Sequence, residues 1–264
     1  MFAVVTGGSS GIGLEIARLL AKRGYDLILV ARRKNRLLKI KKSFEKKYSI
    51  KVVPMEVDLS NEKNCLEFFD KVKAYPIKVW VNNAGFGKLG RFEDIPLDQE
   101  VEMIHTNIIA AHIFTKLFIK EIKEGYILNI ASVSGFQPDP MMATYGATKS
   151  YLLNLGLSIS YELRRHKNKV YLTTVCPGPV RTEFNKVANT DFALKSMSAK
   201  RCAKEALRGL FNKKPLIIPG NDIKLLRVLS KFAPLSFILP IEYMIQTSKT
   251  RRDDVNKNKS TINS

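Results

Sequence analysis

Short apolar runs alternate along this chain with longer stretches of helical period. AVV at residues 3–5 is followed by LEIARLLAKR (14–23), DLILVA (26–31), a basic segment from Arg32 to Lys47, KVVPMEV (51–57), NCLEFFDKVK (64–73) and IKVWV (77–81). Apolar residues recurring every three or four positions mark amphipathic helices, while short continuous apolar runs mark strands buried on both faces. The order so far is βαβαβαβ. It continues with a long helical segment from Leu97 to Ile122, the strand YILNIA (126–131), a second long helix from about Met142 to Arg165, VYLTTV (170–175), a helix from Ala199 to Phe211, and PLIIP (215–219). Seven strands alternating with helices predict an α/β fold, a doubly wound and mostly parallel sheet with helices on both faces and right-handed crossovers.

No internal repeat or Gly/Ser-rich linker divides the 264 residues, so one domain is expected. Residues 1–220 carry the α/β pattern, and residues 221–264 form a C-terminal extension of the same domain. Within that extension, basic and apolar residues alternate from Asn221 to Ile245, and RRDDVNKNKSTINS (251–264) has the polarity of a frayed tail. FAPLSFILPIEYMI (232–245) is too short to span a bilayer and is interrupted by Pro234, Pro240 and Glu242. It can serve as a lid or packing element over a pocket, or as a peripheral contact with an anionic membrane. The opening MFAVVTGG reads as a buried strand, leaving no room for a targeting peptide, and a cytoplasmic location is expected.

Charge adds little to this picture. Forty-four Lys and Arg against 24 Asp and Glu give a net +20, but the excess is diffuse. Its densest run, Arg32 to Lys47, places Leu37, Leu38, Ile40 and Phe44 at helical spacing, as an amphipathic helix with a solvated charged face does. The run lacks interleaved aromatic or base-reading residues, which argues against nucleic-acid binding. Cys65, Cys176 and Cys202 are far apart and odd in number, and His105, His112 and His166 have no clustered ligands, so neither a disulfide framework nor a metal site is suggested.

Candidate chemistry starts at TGGSSGIG, directly after the first strand. A glycine-rich turn into a helix lets backbone N–H groups approach a pyrophosphate, and Gly7, Ser9, Ser10, Gly11, Ile12 and Gly13 form the candidate cradle. The spacing departs from the usual G-x-G-x-x-G, and tight packing alone is the competing explanation. At the end of the second strand, where NAD binders present a carboxylate to the ribose, the chain has Ala31, Arg32 and Arg33. Guanidinium groups there suit a 2′-phosphate, so NADP (NADPH) is the expected cofactor, unless these arginines merely begin the charged helix. Of the nine tyrosines, only Tyr145 has a lysine four places on, in YGATK. Residues at that spacing share a helix face, so the Lys149 ammonium can favour the phenolate and draw its normal pKa of about 10 toward working pH.

TGGSSGIG, NNAG (82–85), Ser132 placed 13 residues before Tyr145, YGATK, and PGPVRT (177–182) occur in order, and together they make the chain resemble the short-chain dehydrogenases/reductases over residues 1–220. The resemblance implies a seven-stranded Rossmann-like sheet and hydride transfer between a nicotinamide and a carbonyl or alcohol. By resemblance, Asn107, Ser132, Tyr145 and Lys149 match the catalytic tetrad. Ser132 would stabilise the substrate oxygen, Tyr145 would pass the proton, Lys149 would tune the tyrosine and bind the nicotinamide ribose, and Asn107 would hold a water. Asp58 matches an adenine contact, Asn83, Ala84 and Gly85 match the cleft wall, and Pro177, Gly178, Val180 and Thr182 match the segment beside the carboxamide. Ser134 stands close to Ser132 as an alternative, and Asn107 can instead cap or kink its helix. Family members also suggest a homodimer or homotetramer. Apolar residues in three loops, Phe86 and Leu89, Phe136 to Met142, and Phe184 to Lys195, favour a hydrophobic small-molecule carbonyl or alcohol as substrate.

Overall fold

The computed structural model describes residues 1–184, 188, 196–230 and 233–248. Its strands are β1 (Phe2–Thr6), β2 (Asp26–Ala31), β3 (Val52–Glu56), β4 (Ile77–Asn82), β5 (Glu124–Ile130), β6 (Lys169–Val175), β7 (Val180–Arg181), β8 (Met197–Ser198) and β9 (Leu216–Ile217). The seven predicted strands form one sheet in the order β3-β2-β1-β4-β5-β6-β9. Every pairing in it is parallel. The short β7 and β8 pair separately.

Parallel neighbours require crossovers, and helices supply them. They are α1 (Gly11–Ala21), α2 (Lys34–Tyr48), α3 (Glu62–Val72), α4 (Leu97–Ile104), α5 (Ala110–Glu121), α6 (Ala143–Arg165) and α7 (Ala199–Phe211), followed by α8 (Asn221–Ser230) and α9 (Leu235–Thr247). Alternation along each strand divides the core between the two faces. Ala3, Val5, Leu27 and Leu29 pack with Ile16, Leu20, Leu37 and Leu207 on one face. Val4, Ile28 and Val30 pack with Phe68, Phe69, Trp80 and Phe114 on the other. Trp80 is fully buried with Phe114 at 5.1 Å and Phe69 at 5.4 Å, and its indole N–H donates to Asn82 Oδ1 at 2.9 Å. Its one polar atom is therefore satisfied inside the core.

Three details depart from the expected elements. The charged helix begins at Lys34, which leaves Arg32 and Arg33 in the turn before it. The segment 97–121 is helical throughout but contains a π turn, His105–Ile109, in which the Ala110 N–H bonds back to His105 O. Pro240 lies inside α9 instead of ending it. Both Pro240 and Ser236 are exposed, so water can satisfy the carbonyl that loses its helical donor. Among the described residues no helix is long and apolar enough to cross a membrane. The polar tail 251–264 lies outside the described residues.

The order reverses at β1, with β2 on one side and β4 on the other. Connections from the two strands leave in opposite directions there, opening the crevice at the carboxyl ends where ligands bind in such sheets.

Candidate active site

Thr6 ends β1 and ties the crevice together. Its hydroxyl donates to Val81 O at 3.1 Å and accepts from the N–H groups of Asn83 and Ala84, both at 3.0 Å. The Asn83 amide donates back to Thr6 O at 3.0 Å and Gly7 O at 3.2 Å. Gly7 and Gly11 have φ of +63° and +57°, the left-handed region where a side chain is strained. A Cβ on Gly13 would stand 2.4 Å from Asn83 Nδ2 and 2.5 Å from Gly7 O. The glycines are thus required by close backbone approach. The Ser10 side chain makes no bond to the first turn of α1, so the leading N–H groups of that helix are available to an anion.

A cavity of about 700 Å³ runs from this turn across the sheet ends. Every site residue expected from the sequence lines it except Gly13 and Asn107, which stand behind its wall. The Asp58 carboxylate at its edge accepts from the Ser60 N–H at 3.0 Å and the Ser60 hydroxyl at 2.8 Å. Thr182 packs 3.2 Å from where a Gly11 Cβ would be, and Val180 is buried in β7.

Ser132, Tyr145 and Lys149 meet in the middle of the cavity wall. Ser132 follows β5 and caps a 3-10 turn, Val133–Phe136, by accepting the Ser134 N–H at 3.2 Å. It also hydrogen-bonds Tyr145, which separates it from Ser134 as the tyrosine's partner. The Tyr145 ring packs on Phe184 at 5.4 Å. Lys149 is 5% exposed, and its Nζ lies 5.6 Å from the Tyr145 ring centroid and donates to Ile130 O at 3.1 Å.

The electrostatics correct the expected tuning. Burial pushes the Tyr145 phenol above its ordinary value, the Ser132 hydrogen bond opposes that, and the charge of Asp139 adds to it. The rise outweighs the Lys149 ammonium, which sits over the ring and donates to a backbone carbonyl. Burial in turn lowers Lys149 to about 8. Tyr145 therefore holds its proton through neutral pH.

Asn107 lies in the π turn, which rotates it inward and buries it to 1%. Its side chain accepts the Phe86 N–H at 3.1 Å and donates to Phe86 O at 2.9 Å and Thr148 Oγ1 at 3.0 Å. The side chain is thus occupied in fixing the NNAG loop against α6. Fastening a loop in this way is a role apart from both the water and the cap or kink read from the sequence.

At the adenosine end the two arginines differ. Arg32 turns away to Glu102 on α4, at 2.8 Å. Arg33 Nη2 reaches the hydroxyls of Ser9 and Ser10 at 3.4 and 3.2 Å, while its Nη1 meets Glu183 at 2.9 Å. Arg36 also contacts Glu183. Neither Arg36 nor Glu183 stood out in the sequence, since one resembles any solvated helix charge and the other follows the motif PGPVRT.

Phe86, Phe136, Met142 and Phe184 border the substrate side, joined by Ile241 and Ile245 of α9. Leu89 does not line the cavity but donates its N–H to Ala188 O at 3.2 Å, and residues 185–187 and 189–195 of the third expected loop lie outside the described residues. Helix α9 is fastened to the 137–142 loop twice, by Gln137 Nε2 to Glu242 Oε1 and by Gln246 Nε2 to the buried Asp139 Oδ1, both at 2.6 Å. These are charge-assisted bonds, and they make the C-terminal extension part of the cavity wall. Gln246→Leu removes one donor from Asp139 and is expected to lower the thermal midpoint, at a cost of about 1–3 kcal/mol. It should also raise KM several-fold with a smaller change in kcat, and an unchanged KM would take α9 out of the substrate's path.

A parallel sheet with a glycine turn at its switch point thus faces a Ser-Tyr-Lys group across one cavity. The chain belongs to the short chain dehydrogenase family, whose model matches residues 1–193. It is 31% identical over 219 residues to a very-long-chain 3-oxoacyl-CoA reductase from Rattus norvegicus, covering 78% of this chain and 67% of that protein. A protein of the same name from Kluyveromyces lactis is 32% identical over 177 residues, covering 61% of this chain and 50% of its own. The chain thus spans half to two thirds of the length of these relatives. A short-chain dehydrogenase from Sphingobium yanoikuyae, solved in complex with NADPH, matches with a TM-score of 0.79 at 28% identity, over 90% of this chain and 94% of that one.

Proposed function

We propose that this protein is an NADPH-dependent reductase of hydrophobic ketones. The observation that carries the cofactor choice is Arg33, whose guanidinium extends over the phosphate turn from the end of β2, where the strand itself carries no carboxylate for a ribose 2′-hydroxyl. The glycine cradle, the available N–H groups of α1 and Asp58 fit the rest of a dinucleotide. The NADPH complex of the Sphingobium relative supports the same choice.

Bound NADPH would supply the hydride taken up by the carbonyl carbon. Ser132 would donate to the carbonyl oxygen as charge develops there, and Tyr145 would transfer its retained proton to that oxygen, leaving an alcohol. Lys149, mostly ammonium at neutral pH, would stabilise the phenolate left behind. The border of Phe86, Phe136, Met142 and Phe184, extended by Ile241 and Ile245, supports a substrate with substantial apolar groups beside its ketone. The name of the rat relative, a reductase of very-long-chain 3-oxoacyl-CoA, is in keeping with that.

The reading is tested by following NADPH consumption over a panel of ketones graded in chain length, where activity should rise with apolar size. Arg33→Asp is expected to weaken NADPH binding about 10- to 100-fold, the scale of a charge-assisted hydrogen bond, with NADH little affected. Equal losses for both cofactors would locate the phosphate elsewhere.

A further inference from the structure

We infer that Glu183 limits how tightly this protein holds the 2′-phosphate of NADPH, because its carboxylate occupies the Arg33 and Arg36 guanidinium groups in the free protein and must be displaced. The inference rests on the NADP reading above and adds a residue to it.

Glu183 follows β7, between Thr182, which packs on Gly11, and Phe184, which packs on Tyr145. Arg33 and Arg36 face it from the start of α2, across the adenosine end of the cavity. Arg33 Nη1 lies 2.9 Å from Glu183 Oε2, and Arg36 Nη1 lies 2.6 Å from Oε1 and 2.8 Å from Oε2. Arg33 Nη2 simultaneously donates to Ser9 and Ser10. One anionic group thus bridges two guanidinium groups, of which Arg33 adjoins the phosphate turn, an arrangement a phosphate monoester would also adopt. Two anions on the same pair repel at such short range, so a 2′-phosphate and the Glu183 carboxylate compete for it. Arg36 first and Arg33 second hold the Glu183 carboxyl below the usual carboxylate range, so it competes as a full charge at neutral pH. NADH carries no 2′-phosphate and can bind with these ion pairs intact. The preference for NADPH is therefore smaller than the arginines alone would give.

All three side chains are partly exposed, at 47%, 45% and 41% for Arg33, Arg36 and Glu183, so the competition is worth about one exposed ion pair. Calorimetric titration of the full chain with NADPH, NADH and adenosine 2′,5′-bisphosphate tests it. Glu183→Gln, which keeps shape and removes charge, is expected to tighten NADPH and the bisphosphate about five-fold and leave NADH unchanged. NADPH binding that is unchanged or weaker in the variant, beside a wild-type preference for NADPH over NADH, overturns this inference alone. Equal tightening of all three ligands also overturns it, since the effect would not be tied to the 2′-phosphate. A wild-type protein with no preference for NADPH removes the cofactor reading, and this inference with it.

Discussion

Tyr145→Phe is expected to lower turnover by at least about 100-fold while leaving NADPH affinity nearly unchanged, the scale of losing a general acid. The substitution removes one hydroxyl and keeps the ring. Packing on Phe184 at 5.4 Å is preserved, and so is the fit against Gly87, where a Cβ would stand 2.9 Å from Tyr145 Cδ2. The fold should therefore be undisturbed. What disappears is the proton that burial holds on the phenol and the bond that Ser132 makes to it. Turnover near the wild-type level, measured by NADPH oxidation, would move the proton donor elsewhere.

Gly13→Ala should damage the cofactor cradle about as severely. A methyl group there would lie 2.4 Å from Asn83 Nδ2 and 2.5 Å from Gly7 O, against a side chain and a backbone atom that already hold each other. Either Asn83 leaves its bonds to Thr6 O and Gly7 O, at about 1 kcal/mol each, or the turn itself shifts, with overpacking costing about 1–3 kcal/mol. The expected outcome is NADPH affinity weaker by about 100-fold and a thermal midpoint lower by about 5 °C. An alanine variant with wild-type affinity would show that the turn adapts and does not need its present form to bind the cofactor.

The fold and the grouping of the central side chains were legible because both depend on short-range patterns. Alternation of side chains along a strand and the four-residue spacing on a helix place Leu27 and Leu29 on one face, Ile28 and Val30 on the other, and Tyr145 beside Lys149. The glycines of the first turn were equally legible, since only residues lacking Cβ fit where backbone meets backbone. Local patterning was less informative about consequence. Tyr145 and Lys149 are neighbours as the spacing requires, yet the surroundings of the pair raise the phenol, because desolvation acts through every group packed around it.

Contacts between distant segments left no mark on the chain. Arg33 and Glu183 are 150 residues apart, Asp139 and Gln246 are 107 apart, and none stands in a periodic pattern that would pair it with the other. Asn107 was recognisable as a site residue, but the π turn that turns it toward Phe86 and Thr148 is invisible in HTNIIAAH. Backbone preference and apolar period act over a few residues, so they fix strands, helices and turns one by one. Which charge faces which, and which helix closes the cavity, follows from packing seven strands and their crossovers into a single body. That packing brings the end of β2, the turn after β7 and the C-terminal helix around one crevice.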